Sequence, residues 1–195
     1  MLQYVSGIFM QNLETATLAG GCFWCTQAIF KRLKGVESVM SGYSGGDVKN
    51  PTYEQVCQGT TGHAEAIQIK FDPKISSYEK LLEVFFKLHD PTTLNRQGND
   101  VGTQYRSAIF YHDQKQKQAA KKLKTELDQS GTYPNPIVTQ IVPYTKLYKA
   151  EDNHQDFYNK NKTYGYCQLV IDPKIQKLYK DFKELVAAGD PVSQG

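Results

Sequence analysis

Sulfur and tryptophan are scarce in this 195-residue chain, which has four cysteines, three methionines and one tryptophan. Four cysteines are too few for a disulfide-stapled scaffold and suit a reducing compartment, where thiols stay free for chemistry or are buried. Charge of one sign is equally scarce, because 23 basic and 20 acidic side chains leave a net charge of +3. That imbalance is too slight to call for a polyanion, so nucleic acid is not expected as a partner. No apolar run approaches the roughly 20 residues needed to cross a bilayer. The N-terminus has no basic stretch followed by an apolar run and a cleavage site, so the expectation is a cytoplasmic protein without membrane attachment. Internal repeats, long linkers and low-complexity blocks are also missing. The length then fits one domain, taken as residues 13–190 behind a weakly patterned arm of residues 1–12, and a monomer is expected.

Strand and helix patterns interleave along the chain. A strand is predicted over residues 15–20, ending in Gly20-Gly21, and a helix over 23–33, which puts Cys22 at a strand-to-helix turn. A strand over 36–43 is closed by Ser44-Gly45-Gly46-Asp47, and Asn50-Pro51-Thr52-Tyr53 turns into a short helix. Residues 64–71 alternate, with Ile67, Ile69 and Phe71 on one side, and stop at Asp72-Pro73. A helix over 77–89 is capped by Ser76 or Ser77. Residues 90–104 read as a long irregular loop of the kind that often carries function. There follow a strand over 106–111, a lysine-rich solvated helix over 113–129, a strand over 137–142, a short helix after Ala150 and a helix over 173–187. This order implies an α+β fold, a two-layer sandwich with a mixed sheet packed on helices in a single domain.

Cys22 combines flanking glycines, a helix N-terminus and two following aromatics. A helix N-terminus favours negative charge and should lower the thiol's pKa toward the nucleophilic thiolate. Most isolated cysteines are small buried hydrophobes instead, and position alone leaves the two alternatives even. Cys22 and Cys25 also form a Cys-x-x-Cys pair, which suits a thioredoxin-like redox function. Structural zinc would want a second pair, whereas Cys57 and Cys167 stand alone and His63, His89, His112 and His154 lack ligand spacing. No metal is therefore expected.

The segment Gly21-Cys22-Phe23-Trp24-Cys25 resembles the signature of the A-type peptide-methionine sulfoxide reductase family. Similar runs follow in order: Gly42-Tyr43-Ser44-Gly45-Gly46, Pro51-Thr52-Tyr53, Val56-Cys57, Thr61-Gly62-His63-Ala64-Glu65 and His89-Asp90-Pro91-Thr92. Arg96-Gln97-Gly98-Asn99-Asp100, Gly102-Thr103-Gln104-Tyr105-Arg106-Ser107, Ala150-Glu151-Asp152-Asn153-His154-Gln155 and Gly165-Tyr166-Cys167 complete the set. The resemblance implies that Cys22 attacks a sulfoxide sulfur, that Phe23 and Trp24 hold the substrate methyl group, and that Glu65 is the acid. It further implies oxygen binding by Tyr43 and Tyr105 with Asp100 in support, and Cys167 as the resolving cysteine. Substrates would be oxidised proteins or peptides and the reductant a thioredoxin, with no bound cofactor. One departure is Cys25, where many family members have glycine.

The chemistry suits these residues. Reducing a sulfoxide needs a thiolate for the electrophilic sulfur, an acid for the departing oxygen and hydrogen-bond donors. Glu65 shares the parity of Ile67, Ile69 and Phe71, which suits a core-facing, protonated carboxyl, although on the strand pattern alone a strand-end glutamate more often turns to water; the family resemblance is what favours the buried acid. Tyrosine hydroxyls donate without adding charge. Attack leaves a sulfenic acid that a second thiol must trap. Cys167 follows a polar, glycine-containing stretch at residues 159–166 read as a mobile arm, while the helix is expected to hold Cys25 rigidly with its sulfur turned away. Cys57 is expected to be structural. His154 and its acidic neighbours Glu151 and Asp152 either position the site, with His154 against substrate, or belong to a short polar helix.

Overall fold

The computed structural model describes residues 12–187. All but the last residue of the expected arm, and residues 188–190 of the expected domain, lie outside the described residues. Strand β1 (Glu14–Gly20) leads into α1 (Phe23–Phe30), and β2 (Val36–Ser44) into α2 (Tyr53–Cys57). Strand β3 (Ala64–Phe71) is followed by α3 (Tyr78–Leu88) and a two-residue ladder of β4 (Arg96–Gln97) with β5 (Asp100–Val101). Then come β6 (Ser107–Tyr111), α4 (Gln114–Gln129), β7 (Gln140–Pro143), β8 (Leu147–Lys149), α5 (Phe157–Lys160) and α6 (Asp172–Asp181).

Six strands form one sheet in the order β7-β6-β1-β3-β2-β8, antiparallel except for the parallel β6–β7 pair. The fold is the expected α+β arrangement with a mixed sheet. Its central strands are covered on both sides. Along β3, Glu65, Ile67, Ile69 and Phe71 face the large core beneath the helices, while Ala64 and Ala66 enter a smaller cluster with Ala108, Phe110 and Leu147. Alternation of side chains across the pleat therefore fixes the direction of Glu65. Helix α3 brings Leu81, Leu82, Val84, Phe85, Phe86 and Leu88 to that core, and its N-cap Ser77 accepts the Lys80 amide at 3.2 Å. Helix α4 buries only Gln116 and Ala120, as a solvated lysine-rich helix should.

Several boundaries differ from the sequence expectation for local reasons. The strand expected from residue 137 begins at Gln140, because the Ile137 amide donates to Asp128 and the Val138 amide to the Pro91 carbonyl. The loop at 90–104 contains the β4–β5 ladder and a 3-10 turn at Thr103–Tyr105. The expected C-terminal helix begins earlier, as a π-helical turn at Cys167–Ile171 runs into α6, and it stops at Asp181. Residues 150–156 are not helical.

That non-helical segment is tied down by amide side chains. The Gln155 carboxamide accepts the Ser41 amide at 3.0 Å and donates to the carbonyls of Ser41 and Ala150 at 2.9 and 3.0 Å. Gln27 of α1 donates to the Val39 carbonyl at 2.9 Å and accepts the Asp156 amide at 2.8 Å. Helix α1, the β2 edge and the 150–156 segment are thereby joined, since buried amides and carbonyls must find partners. Gln155→Leu strands the Ser41 amide, while the Ser41 carbonyl keeps the Ala150 amide, and the unfolding free energy in urea should fall by about 1–3 kcal/mol. The exposed Lys122→Ala change on α4 should stay within about 0.5 kcal/mol.

Candidate active site

The turn between β1 and α1 is built on Gly21. Its φ is +88°, and a Cβ there would stand 2.5 Å from Gln97 Cγ, so only glycine lets the β4 side chain close over the turn. Cys22 follows as the residue preceding α1, with non-helical ψ of 125°. Two of the helix's unsatisfied amides serve the site. The Phe23 amide donates to Glu65 Oε2 at 2.9 Å, and the Trp24 amide donates to the Cys22 sulfur. The Glu65 carboxyl also shares a hydrogen bond with the Cys22 thiol.

Glu65 is only 1% exposed, and its carboxyl is pushed up to about 8, chiefly by desolvation, which outweighs the Phe23 amide. It is neutral at physiological pH, as its strand parity led us to expect. Cys22 does not behave as expected. Burial, then the hydrogen bond with Cys25 and the field of Glu65, hold its thiol well above the ordinary range, and the Trp24 amide only partly opposes them. Helix geometry favours the thiolate, but at 8% exposure desolvation wins. Cys25 moves the other way, down to about 7, because the Cys22 thiol donates to it. The sulfur of Cys25 is therefore not turned away: the two thiols form one hydrogen-bonded pair that loses its first proton jointly.

The tyrosines divide into committed and available donors. Tyr43 is fully buried opposite Glu65 in the β2–β3 register, and its hydroxyl donates to Glu151 Oε2 at 2.7 Å. That donor is spent on Glu151, whose other oxygen accepts the Tyr53 amide at 2.9 Å. Glu151 thus positions two site elements without belonging to a helix. Tyr105, from the 3-10 turn, is half-buried and feels Glu65, Cys22, Cys57 and Asp100. Tyr53 is the tyrosine missed in the sequence: it feels Glu65 and Tyr105 and hydrogen-bonds to Cys57. Its only sequence signal was its place within Pro51-Thr52-Tyr53. Desolvation raises both phenols, so both stay protonated donors. Cys57 itself is exposed rather than buried.

An aromatic wall completes the site. Trp24 stacks on Phe157 at 3.7 Å, and its indole N–H donates to His154 Nδ1 at 3.2 Å. The His154 ring lies 4.2 Å from that of Tyr53 and 5.5 Å from that of Phe23. Burial lowers the His154 pKa, consistent with a neutral ring that accepts the indole proton. Phe23 is completely buried and backs the wall, whereas Trp24 remains half-exposed.

Residues 159–166, expected as a mobile arm, are packed against this wall through Tyr164 on Phe157 and Tyr166 on Trp24. The Tyr166 hydroxyl donates to Asp100 Oδ2 at 2.7 Å and contacts Cys25 Sγ at 3.7 Å. Asp100 and Tyr166 also line a depression of about 310 Å³ together with Leu169, Pro173 and Lys174. Cys167 is fully buried in the π-helical turn and feels Cys25. Of the sequence-selected residues, Cys22, Glu65, Tyr105, Asp100, Trp24 and His154 come together. Tyr43 and Phe23 lie one layer behind, and Cys167 sits beyond Cys25.

The chain has known relatives. Residues 14–186 match the family described as peptide methionine sulfoxide reductase. The chain belongs to this family. It is 57% identical over 172 residues to the peptide methionine sulfoxide reductase MsrA of Sulfolobus acidocaldarius, covering 88% of this chain and 97% of that protein. Its fold is similar to the reduced form of Mxr1 from Saccharomyces cerevisiae, with a TM-score of 0.73 and 35% identity, covering 80% of this chain and 89% of that one. Mxr1 in complex with Trx2 is a further match, with a TM-score of 0.52, 25% identity, and coverage of 74% and 84%. Membership in the reductase family makes the neutral acid beside the thiol the feature to test.

The folded protein holds the Glu65 proton up to about 8, against an ordinary value of 4.5. The stability this group contributes is therefore full in acid and is lost as pH rises through about 8. Glu65→Gln keeps a neutral side chain at every pH. Its stability relative to the parent protein should increase between pH 5 and pH 9 in denaturant titrations, and a pH-independent difference would disprove the raised pKa.

Proposed function

We propose that the protein reduces methionine-(S)-sulfoxide in oxidised proteins and peptides, with Cys22 as the attacking sulfur. The observation that carries this reading is a buried, proton-bearing carboxyl, Glu65, held at 2.9 Å by the amide of Phe23, the residue after Cys22 at the start of a helix. The resting pair holds its proton on Cys22 and favours the charge on Cys25, and in this reaction Cys25 takes that proton as Cys22 attacks. Cys22 attacks the sulfoxide sulfur while Glu65 protonates the oxygen, and the Tyr53 and Tyr105 hydroxyls donate to that oxygen as its charge develops. Half-exposed Trp24, braced by Phe157 and His154, offers its face to the methyl group. An apolar face on one side and donors on the other distinguish the two sulfur epimers.

Thioether is released and the oxygen stays on Cys22 as a sulfenic acid. A second thiol of the chain condenses with it, and the disulfide that ends on Cys167 is reduced by an external dithiol. A thioredoxin suits this role, as the complex of the yeast relative with Trx2 supports. A reducing cytoplasm suits four thiols that are free in the structure. No helix among the described residues is long and apolar enough to cross a membrane.

Turnover of a methionine-(S)-sulfoxide peptide with dithiothreitol should vanish in Cys22→Ser and fall about 10²–10⁴-fold in Glu65→Gln. In single turnover the rate of the unaltered protein should decline as pH rises through about 8, where Glu65 loses its proton. Protein inert toward both sulfoxide epimers would overturn the assignment.

A further inference from the structure

We propose that Cys25 is the first resolving thiol, trapping oxidised Cys22 before the disulfide is handed on to Cys167. The inference rests on Cys22 being the sulfur that attacks substrate. Its basis is geometric: Cys22 and Cys25 lie one helical turn apart, and Tyr166, the residue before Cys167, stands against Cys25.

Cys22 stands immediately before α1 and Cys25 is the third residue of the helix, with its amide returning to the Cys22 carbonyl at 3.1 Å. One helical turn separates Cα atoms by about 5 Å, inside the roughly 4.4–6.8 Å that a disulfide spans. Cys22 is not itself helical, so its side chain leaves the helical direction, and the two sulfurs already share a hydrogen bond. On its other side Cys25 meets the Tyr166 hydroxyl at 3.7 Å, and Cys167 follows Tyr166 in the chain. Cys167 lies fully buried, with burial raising its thiol, and is a poor first nucleophile. Cys25 is the better one, because it lies one helical turn from Cys22, and the hydrogen bond from Cys22 followed by the field of Lys174 lowers its pKa.

The chemistry balances in two steps. Cys25 attacks the sulfur of the Cys22 sulfenic acid, an S–S bond forms, the S–O bond breaks, and the departing hydroxide takes the Cys25 proton as water. Cys25 is oxidised and Cys22 is reduced by one formal unit each. Cys167 then attacks Cys25, forming a Cys25–Cys167 disulfide and releasing Cys22 as a thiol. That exchange is redox-neutral and leaves Cys22 ready for substrate before any external dithiol arrives.

The test oxidises the fully reduced full-length protein with one equivalent of a methionine-(S)-sulfoxide peptide and no reductant. Samples are acid-quenched and alkylated over time, and disulfides are mapped by mass spectrometry. In the unaltered protein a Cys22–Cys25 bond should appear first and give way to Cys25–Cys167. In Cys167→Ser the Cys22–Cys25 bond should be the end product. In Cys25→Ser a dimedone-trappable sulfenic acid at Cys22 should live roughly tenfold longer or more. A first disulfide that lacks Cys25, or sulfenic acid accumulating in Cys167→Ser, would overturn the relay. Failure of the unaltered protein to release any methionine removes the underlying reading and the relay with it, and the methionine count distinguishes that outcome from the others.

Discussion

The bond from the Phe23 amide to the Glu65 carboxyl ties two facts together that neither residue could supply alone. A carboxyl with 1% of its surface in water costs free energy when ionised, so it keeps its proton. An amide at the head of a helix has no intrahelical acceptor and must find one. Satisfying each with the other fixes α1 against β3 and sets the acid beside the sulfur at the helix start. Moving Glu65 by one position along β3 would turn it into the alanine-lined cluster on the far face, because side chains alternate across the pleat. Strand register is thus the coarse adjustment of the site, and the helix amide is the fine one.

Much of the fold was readable because the relevant signals are local. The alternation of Glu65, Ile67, Ile69 and Phe71 gave both the strand and the direction of the acid, and the Ser77 cap and apolar spacing gave α3. What the sequence did not reveal depends on distant partners. The start of β7 is set by Asp128 and Pro91, and the three residues of β8 are too few to show a period. Within the site, motif neighbours singled out Tyr43, yet only the structure reveals that its hydroxyl is held by Glu151 and that Tyr53 is turned toward Glu65. The thiol expected to ionise at a helix start is instead too dry to do so alone, a competition that residue spacing cannot express.

The C-terminal stretch has a different relation to the site from the strands. It reaches α1, β2 and β5 largely through side chains: Phe157 on Trp24, Tyr166 on Asp100 and Cys25, and Gln155 on Ser41. Ladder bonds hold a sheet cooperatively, whereas separate side-chain contacts can be exchanged one at a time. The proposed resolution step, in which Cys167 of this segment takes over a disulfide, suits attachment of the second kind. The glutamine pair secures residues 150–156 to β2 and α1, so such an exchange would be confined to the chain beyond them.

The stacked tryptophan has a consequence outside chemistry. Trp24 is the single indole in the chain, and it lies between Phe157 and His154 two residues from Cys22. Excited at wavelengths where the thirteen tyrosines do not absorb, the chain therefore emits only from this indole beside Cys22. A quencher bonded to its N–H and a ring stacked on its face give that emission a built-in dependence on which neighbours are in place. The protein thus carries an intrinsic optical gauge of its own working cycle.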